Sequence, residues 1–139
     1  MIIDTNWAYA AGLFDGEGTV SLCQRGDGQI ISITSIGMTH QETIMWLCEM
    51  FGGSLLEDRG ASAGKFPKRR RLWRWQRNGR NALPFLRGVF PFLKTKKDIV
   101  EVVISFLELP LHSQDAGVRL HRLRCVEIVR QLRLTETIQ

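Results

Sequence analysis

The sequence predicts an α+β fold in the order α-β-β-α-β-β-α-α-α. Three observations predict it. Segments with 3.6-residue apolar periodicity are bracketed by capping and stopping residues, two runs of β-formers flank a Gly-Asp-Gly turn, and a second pair of strand-like runs follows Gly52-Gly53. A length of 139 residues suits one domain, 1–139, with a core of its own.

The first helix begins after Asp4 or Thr5, either of which can cap it, and runs to about Asp15. Residues 19–25 alternate, turn at Gly26-Asp27-Gly28, and return through an isoleucine- and threonine-rich run from Gln29 to Met38, which together read as a hairpin. Thr39-His40-Gln41-Glu42 has the form of a capping box with Thr39 as cap. The helix behind it buries Ile44, Leu47, Cys48 and Phe51 and stops at Gly52-Gly53. Residues 54–59 form a third strand and 69–77 a fourth. Asn81 caps a short helix carrying Leu83, Leu86 and Phe90, with Pro84 tolerated in its first turn and Pro91 ending it. Thr95 caps the next, whose stripe is Ile99, Val102, Val103 and Phe106. A final arginine-rich helix spans about 116–133.

Charge is concentrated. Eight of the 19 basic residues lie between Lys65 and Arg80 with no acid among them, and the net charge is +5. Such a patch attracts polyanions, nucleic acid above all. The plain alternative is a solvated basic loop, and Trp73 and Trp75 inside the patch argue against it. Cys23, Cys48 and Cys125 are odd in number and widely spaced, forming neither a zinc pattern nor a disulfide framework, which suits a reducing compartment. No apolar run is long enough to span a membrane, and Asp4 breaks the place of a signal peptide. The expectation is an intracellular protein with no membrane partner: cytoplasmic if bacterial, organellar if intron-encoded in a plastid or mitochondrion.

The stretch AAGLFDGEG, residues 10–18, puts two acids where a helix should end. Helix C-termini carry partial negative charge, so acids there need compensation. Ala8, Gly12 and Gly16 recur every four residues and make one face nearly bare of side chains. A bare face permits close backbone approach, and with a single copy of the pattern the partner is the same helix of a second subunit. A two-fold axis would gather two copies of Asp15-Gly16-Glu17 into a negative pocket suited to Mg²⁺ or Ca²⁺. The bland alternative leaves Asp15 and Glu17 solvated at a helix end.

AAGLFDGEG resembles the LAGLIDADG motif of homing endonucleases, with Ala10 in place of the leading Leu; Trp7, Tyr9 and the following hairpin add to the likeness. The resemblance implies an αββαββα core with C-terminal helices and a four-stranded antiparallel saddle sheet laid on double-stranded DNA. It implies homodimerisation through Ala8, Gly12, Asp15 and Gly16, with Asp15 holding the turn. It implies Mg²⁺, or another divalent ion such as Ca²⁺ or Mn²⁺, held by Glu17 and the Gly16 carbonyl, and no organic cofactor. Lys96 matches a family lysine near the scissile phosphate, and His40 a polar position that organises water or accepts a proton. Without the resemblance, Lys96 and Lys97 are a pair of exposed lysines and His40 an incidental helix-start residue.

The expected base-facing residues are Thr19, Ser21, Cys23 and Arg25 on the first strand, with Val20 and Leu22 inward, and Arg59 on the third. On the fourth they are Arg70, Arg74 and Gln76 if Trp73 and Trp75 pack inward, or Arg69, Arg71 and Arg77 in the opposite phase. Isoleucines on both faces leave the second strand open. The implied activity is metal-assisted cleavage of both strands of a long pseudo-palindromic DNA site. A non-catalytic DNA-binding regulator or RNA-splicing maturase on the same scaffold is the alternative.

Overall fold

Ile3 leads into helix α1, Asp4–Glu17, in extended backbone and without a capping side chain, so both Asp4 and Thr5 lie inside the first turn. The computed structural model describes residues 2–58, 71–110 and 113–138. After α1 come β1 (Gly18–Gln24), β2 (Ile30–Met38), α2 (Gln41–Phe51), β3 (Ser54–Asp58) and β4 (Leu72–Asn78). Helices α3 (Leu83–Val89), α4 (Lys97–Leu107) and α5 (Ala116–Ile138) complete the chain, with 3-10 turns at Gly79–Ala82 and Phe90–Phe92. This is the α+β order expected. Among the described residues no helix is long and apolar enough to cross a membrane.

Several boundaries differ from expectation for local reasons. Helix α1 continues two residues past Asp15, ending where the Gly18 N–H donates to the Phe14 carbonyl. Gly18 has to be glycine, because a Cβ there would lie 2.2 Å from the buried Phe14 ring. The cap of α2 is His40 rather than Thr39, since the backbone is still extended at His40 and its Nδ1 accepts from the Thr43 N–H. Glu42 meets the His40 ring at 2.9 Å instead of completing a capping box. Asn81 sits within a 3-10 turn and caps nothing; α3 starts at Leu83 and gives way to another 3-10 turn around Pro91. Thr95 does not cap α4, whose cap position is Lys96, because its hydroxyl is drawn to Asp15. Strand β4 is Leu72–Asn78, and α5 extends to Ile138.

The four strands form one antiparallel sheet in the order β1-β2-β4-β3. The long link through α2 carries β3 to the far edge, and β4 returns to the middle. Register settles the faces. Val20, Leu22, Ile36 and Trp75 are buried in the core with Phe14, Leu47, Phe85 and Val103 of the helices. Trp75 is anchored further by its Nε1–H, which donates to the Gly52 carbonyl at 2.6 Å. Gly52 and Gly53, both at positive φ, end α2 close enough to β4 that a Cβ on Gly53 would strike Trp75 and Gln76.

One part of the core runs against polarity. Ser32 and Thr34 of β2 are 1% and 0% exposed, and neither hydroxyl has a hydrogen-bond partner among the described residues. A buried hydroxyl without a partner costs about 1–3 kcal/mol. Thr34→Val, which keeps the branched shape, is expected to stabilise the fold by about 1 kcal/mol, read as a higher urea midpoint at unchanged slope.

Candidate helix-end site and sheet surface

The acids at the end of α1 have different surroundings. The Asp15 carboxylate is used inside the chain. Its Oδ2 accepts the Lys94 N–H at 2.8 Å, and its Oδ1 accepts the Lys96 N–H and the Thr95 hydroxyl, both at 3.1 Å. The Asp15 carbonyl, one of those a helix end leaves unpaired, accepts from Lys96 Nζ at 2.9 Å and from the Thr95 hydroxyl. The negative end of α1 is thus fastened to the start of α4, and a lysine ammonium complements it. Two expected site residues, Asp15 and Lys96, 81 positions apart in sequence, come together.

Glu17 is left exposed, as is Gly16. It is the last residue of α1, next to the helix-end carbonyls. Among the described residues no three His, Cys, Asp or Glu side chains gather into a metal-holding group. Ala8 and Gly12 are exposed too, and a Cβ built on Gly12 or Gly16 meets nothing within 4 Å. Among the described residues nothing covers the bare face of α1, and Tyr9, 53% exposed, borders it.

His40 lies elsewhere, at the start of α2. Nδ1 sits 2.7 Å from the Thr43 hydroxyl and Nε2 2.9 Å from Glu42, so both ring nitrogens have local partners. The Cys48 and Cys125 thiols are pushed up from their ordinary value by burial, Cys48 also by neighbouring Glu49, which keeps both as thiols rather than thiolates.

The sheet face turned away from the core can be read row by row. Thr19 pairs with Ser35, Ser35 with Gln76, and Gln76 with Ser54, giving a polar row across all four strands. On one side of it lie Gly37, Arg74 and Leu56; on the other, Ser21 beside Ile33 and Cys23 beside Ile31. Arg74 and Gln76 share this face, as expected if the tryptophans point inward. The opposite phase does not occur. Arg77 donates to the Phe51 carbonyl on the helix side, and Arg71 reaches Glu57 at 3.4 Å. Ser21 is more enclosed than expected for this face, 7% exposed, with its hydroxyl 3.7 Å from Cys23 Sγ. Arg25 is exposed at the β1–β2 turn. Arg59, Arg69 and Arg70 lie outside the described residues.

Ser35 and Ser54 were not expected on this face. The first follows from the hairpin register set by Gly26-Asp27-Gly28; the second needs the β3–β4 pairing, which no local signal encodes.

No protein-family model matches the sequence, and no curated protein does. Solved structures do match. The homing endonuclease I-CvuI, in complex with its target in the presence of Ca, superposes with a TM-score of 0.77 at 15% identity over 93% of this chain and 82% of its own. The archaeal intron-encoded homing endonuclease I-Vdi141I, complexed with DNA, gives 0.75 at 15% identity over 93% and 84%. The LAGLIDADG homing endonuclease I-GzeII, in complex with its DNA target, gives 0.63 at 16% identity over 90% and 43%.

This chain has the LAGLIDADG homing-endonuclease fold. In that fold α1, with AAGLFDGEG at its end, carries the motif helix. The end of α1 is held by Gly18, which admits the Phe14 ring, and by Asp15, which ties α1 to the segment leading into α4.

Proposed function

We propose that the chain is a site-specific DNA endonuclease acting as a homodimer, hydrolysing phosphodiesters in both strands of a pseudo-palindromic duplex with divalent-metal assistance. The observation that carries this reading is the helix-end site: an exposed Glu17 at the tip of an uncovered small-residue face, beside a Lys96 held by Asp15. The neighbours' complexes with DNA support the same reading, as does the open sheet face with Arg74 and Gln76.

A divalent ion fits the donor chemistry only in part within one chain. Glu17 and the Gly16 carbonyl are hard oxygen donors, which Mg²⁺ and Ca²⁺ prefer, but one free carboxylate is too few. Two copies joined through Ala8, Gly12 and Gly16 would supply two, so Glu17 and Gly16 of each copy would hold the metal. Bound there, the metal would supply an activated water and charge stabilisation of the leaving oxygen. Glu17 orients and neutralises; Lys96, with its ammonium fixed on the Asp15 carbonyl, faces the negative charge of the phosphate. His40 serves first as helix cap, and water ordering by its ring would require Glu42 to release Nε2. Arg74, Gln76 and the polar row read base edges, while basic residues that precede β4 contact phosphates.

Duplexes bound by the protein are selected from a randomised library, and a plasmid carrying one is incubated with Mg²⁺ or with chelator. Cleavage with Mg²⁺ alone supports the enzyme. Specific binding without cleavage in any divalent ion supports the non-catalytic regulator instead. The dimer has its own test. Gly12→Leu adds a side chain where the monomer has open space, so the fold is retained, with helix propensity improved by about 0.5–1 kcal/mol. Sedimentation should show a monomer in place of a dimer, and cleavage should be lost.

A further inference from the structure

The open sheet face is divided, and on β2 it carries two isoleucines, Ile31 and Ile33, the second between Ser21 and Asn78. Over residues 31–34 the usual pattern is inverted. Ser32 and Thr34 point into the core without partners, and Ile31 and Ile33 point to the open side, where neither packs against the core. A one-residue shift in the pairing of β2 would bury both isoleucines. The same shift would lift Ile36 out of the core and Ile30 and Met38 off it, so the register stands. What the fold does not require is an apolar residue at 31 and 33 or a hydroxyl at 32 and 34, and local rules broken at a fold's expense mark functional surfaces.

Their neighbours sharpen the feature. Across the β1–β2 ladder Ile33 faces Ser21 and Ile31 faces Cys23, so two bulky apolar side chains stand beside two short ones. The other half of the same face carries Arg74 and Gln76. Arginine pairs with the guanine edge and glutamine with adenine, whereas the one apolar group in the major groove is the thymine 5-methyl.

We propose that the Ile31–Ile33 ridge is a specificity element that reads thymine methyl groups, so that the bases under the β1–β2 half of the sheet are selected for T while those under Arg74 and Gln76 are selected by hydrogen bonds. The inference rests on the reading that this face meets duplex DNA, and it adds which chemistry decides which part of the site. Ile33 and Ile31 make the methyl contacts; Ser21 and Cys23 leave room for them.

The test uses the full chain and a duplex obtained by selection from a randomised library, with binding measured in chelator. Each thymine is replaced in turn by deoxyuridine, which removes the methyl and leaves pairing intact. One or more replacements in each half-site should weaken binding by about four-fold per methyl. Ile33→Ser should erase that sensitivity at one of these positions, Ile33→Val should retain it, and Arg74→Ala should leave it unchanged. Selected duplexes that bind equally well with uracil throughout would overturn the inference and leave the DNA-binding reading intact. Failure to select any duplex would overturn both.

Discussion

Glu17→Gln is expected to lower Mg²⁺-dependent cleavage by about a thousand-fold or more, because a several-kcal/mol share of transition-state stabilisation goes with the carboxylate charge. The amide keeps the shape, and Glu17 is exposed at the end of α1, so neither fold nor dimer should suffer. Duplex binding in chelator should be within a few-fold of the parent. The decisive comparison is single-turnover cleavage against binding of the same duplex. Equal cleavage by variant and parent would remove Glu17 from the chemistry and, with it, the case for a shared metal at the helix ends.

The second large effect belongs to Asp15. Asp15→Ala removes one carboxylate that accepts from two backbone N–H groups and a hydroxyl. Charge-assisted bonds of this kind contribute about 1.5–3 kcal/mol each when removed singly, and because they share one acceptor group the expected loss of stability is about 2–4 kcal/mol. Urea unfolding measures it. Cleavage should fall as well, since the Lys94–Lys96 segment loses the tie that holds the ammonium at the helix end. Thr95→Ala removes only the hydroxyl bonds and should cost much less. If Asp15→Ala unfolds at the parent's urea midpoint, the link between α1 and α4 contributes nothing to the fold.

These two residues are two positions apart and similar in chemistry, yet their surroundings are opposite. The difference lies in direction. At the end of α1, one side of the helix faces the Lys94–Lys96 segment and the other faces outward, and a two-residue step of about 200° separates Asp15 from Glu17. The division between a structural acid and a free one is therefore a matter of helix phase.

Much of the architecture was legible beforehand because it is local. Apolar periodicity marked α2 and α4, the Gly26-Asp27-Gly28 turn marked the hairpin, and Gly52-Gly53 marked the end of α2. Caps depend on more than local chemistry. Thr39 and Thr95 are good capping residues by chemistry, but one was displaced by a backbone still extended at His40 and the other was taken by a carboxylate from a distant helix. Local sequence does not separate two phases for β4, since arginines occupy both parities. Burial decided it: the helices need Trp73 and Trp75, and Arg77 can reach a carbonyl from the same side.

By itself the sequence determined the order of elements, the concentration of basic charge before and within β4, and a motif helix with a bare face ending in acids. These follow from short-range periodicity and composition, which each segment carries independently of its neighbours. Only the tertiary structure decided that Asp15 binds the start of α4 while Glu17 stays free, and that Ile31 and Ile33 stand on the open face while Ser32 and Thr34 are buried. Both outcomes depend on pairings between residues far apart in the chain, where the energy of the whole core overrides what a local stretch would prefer.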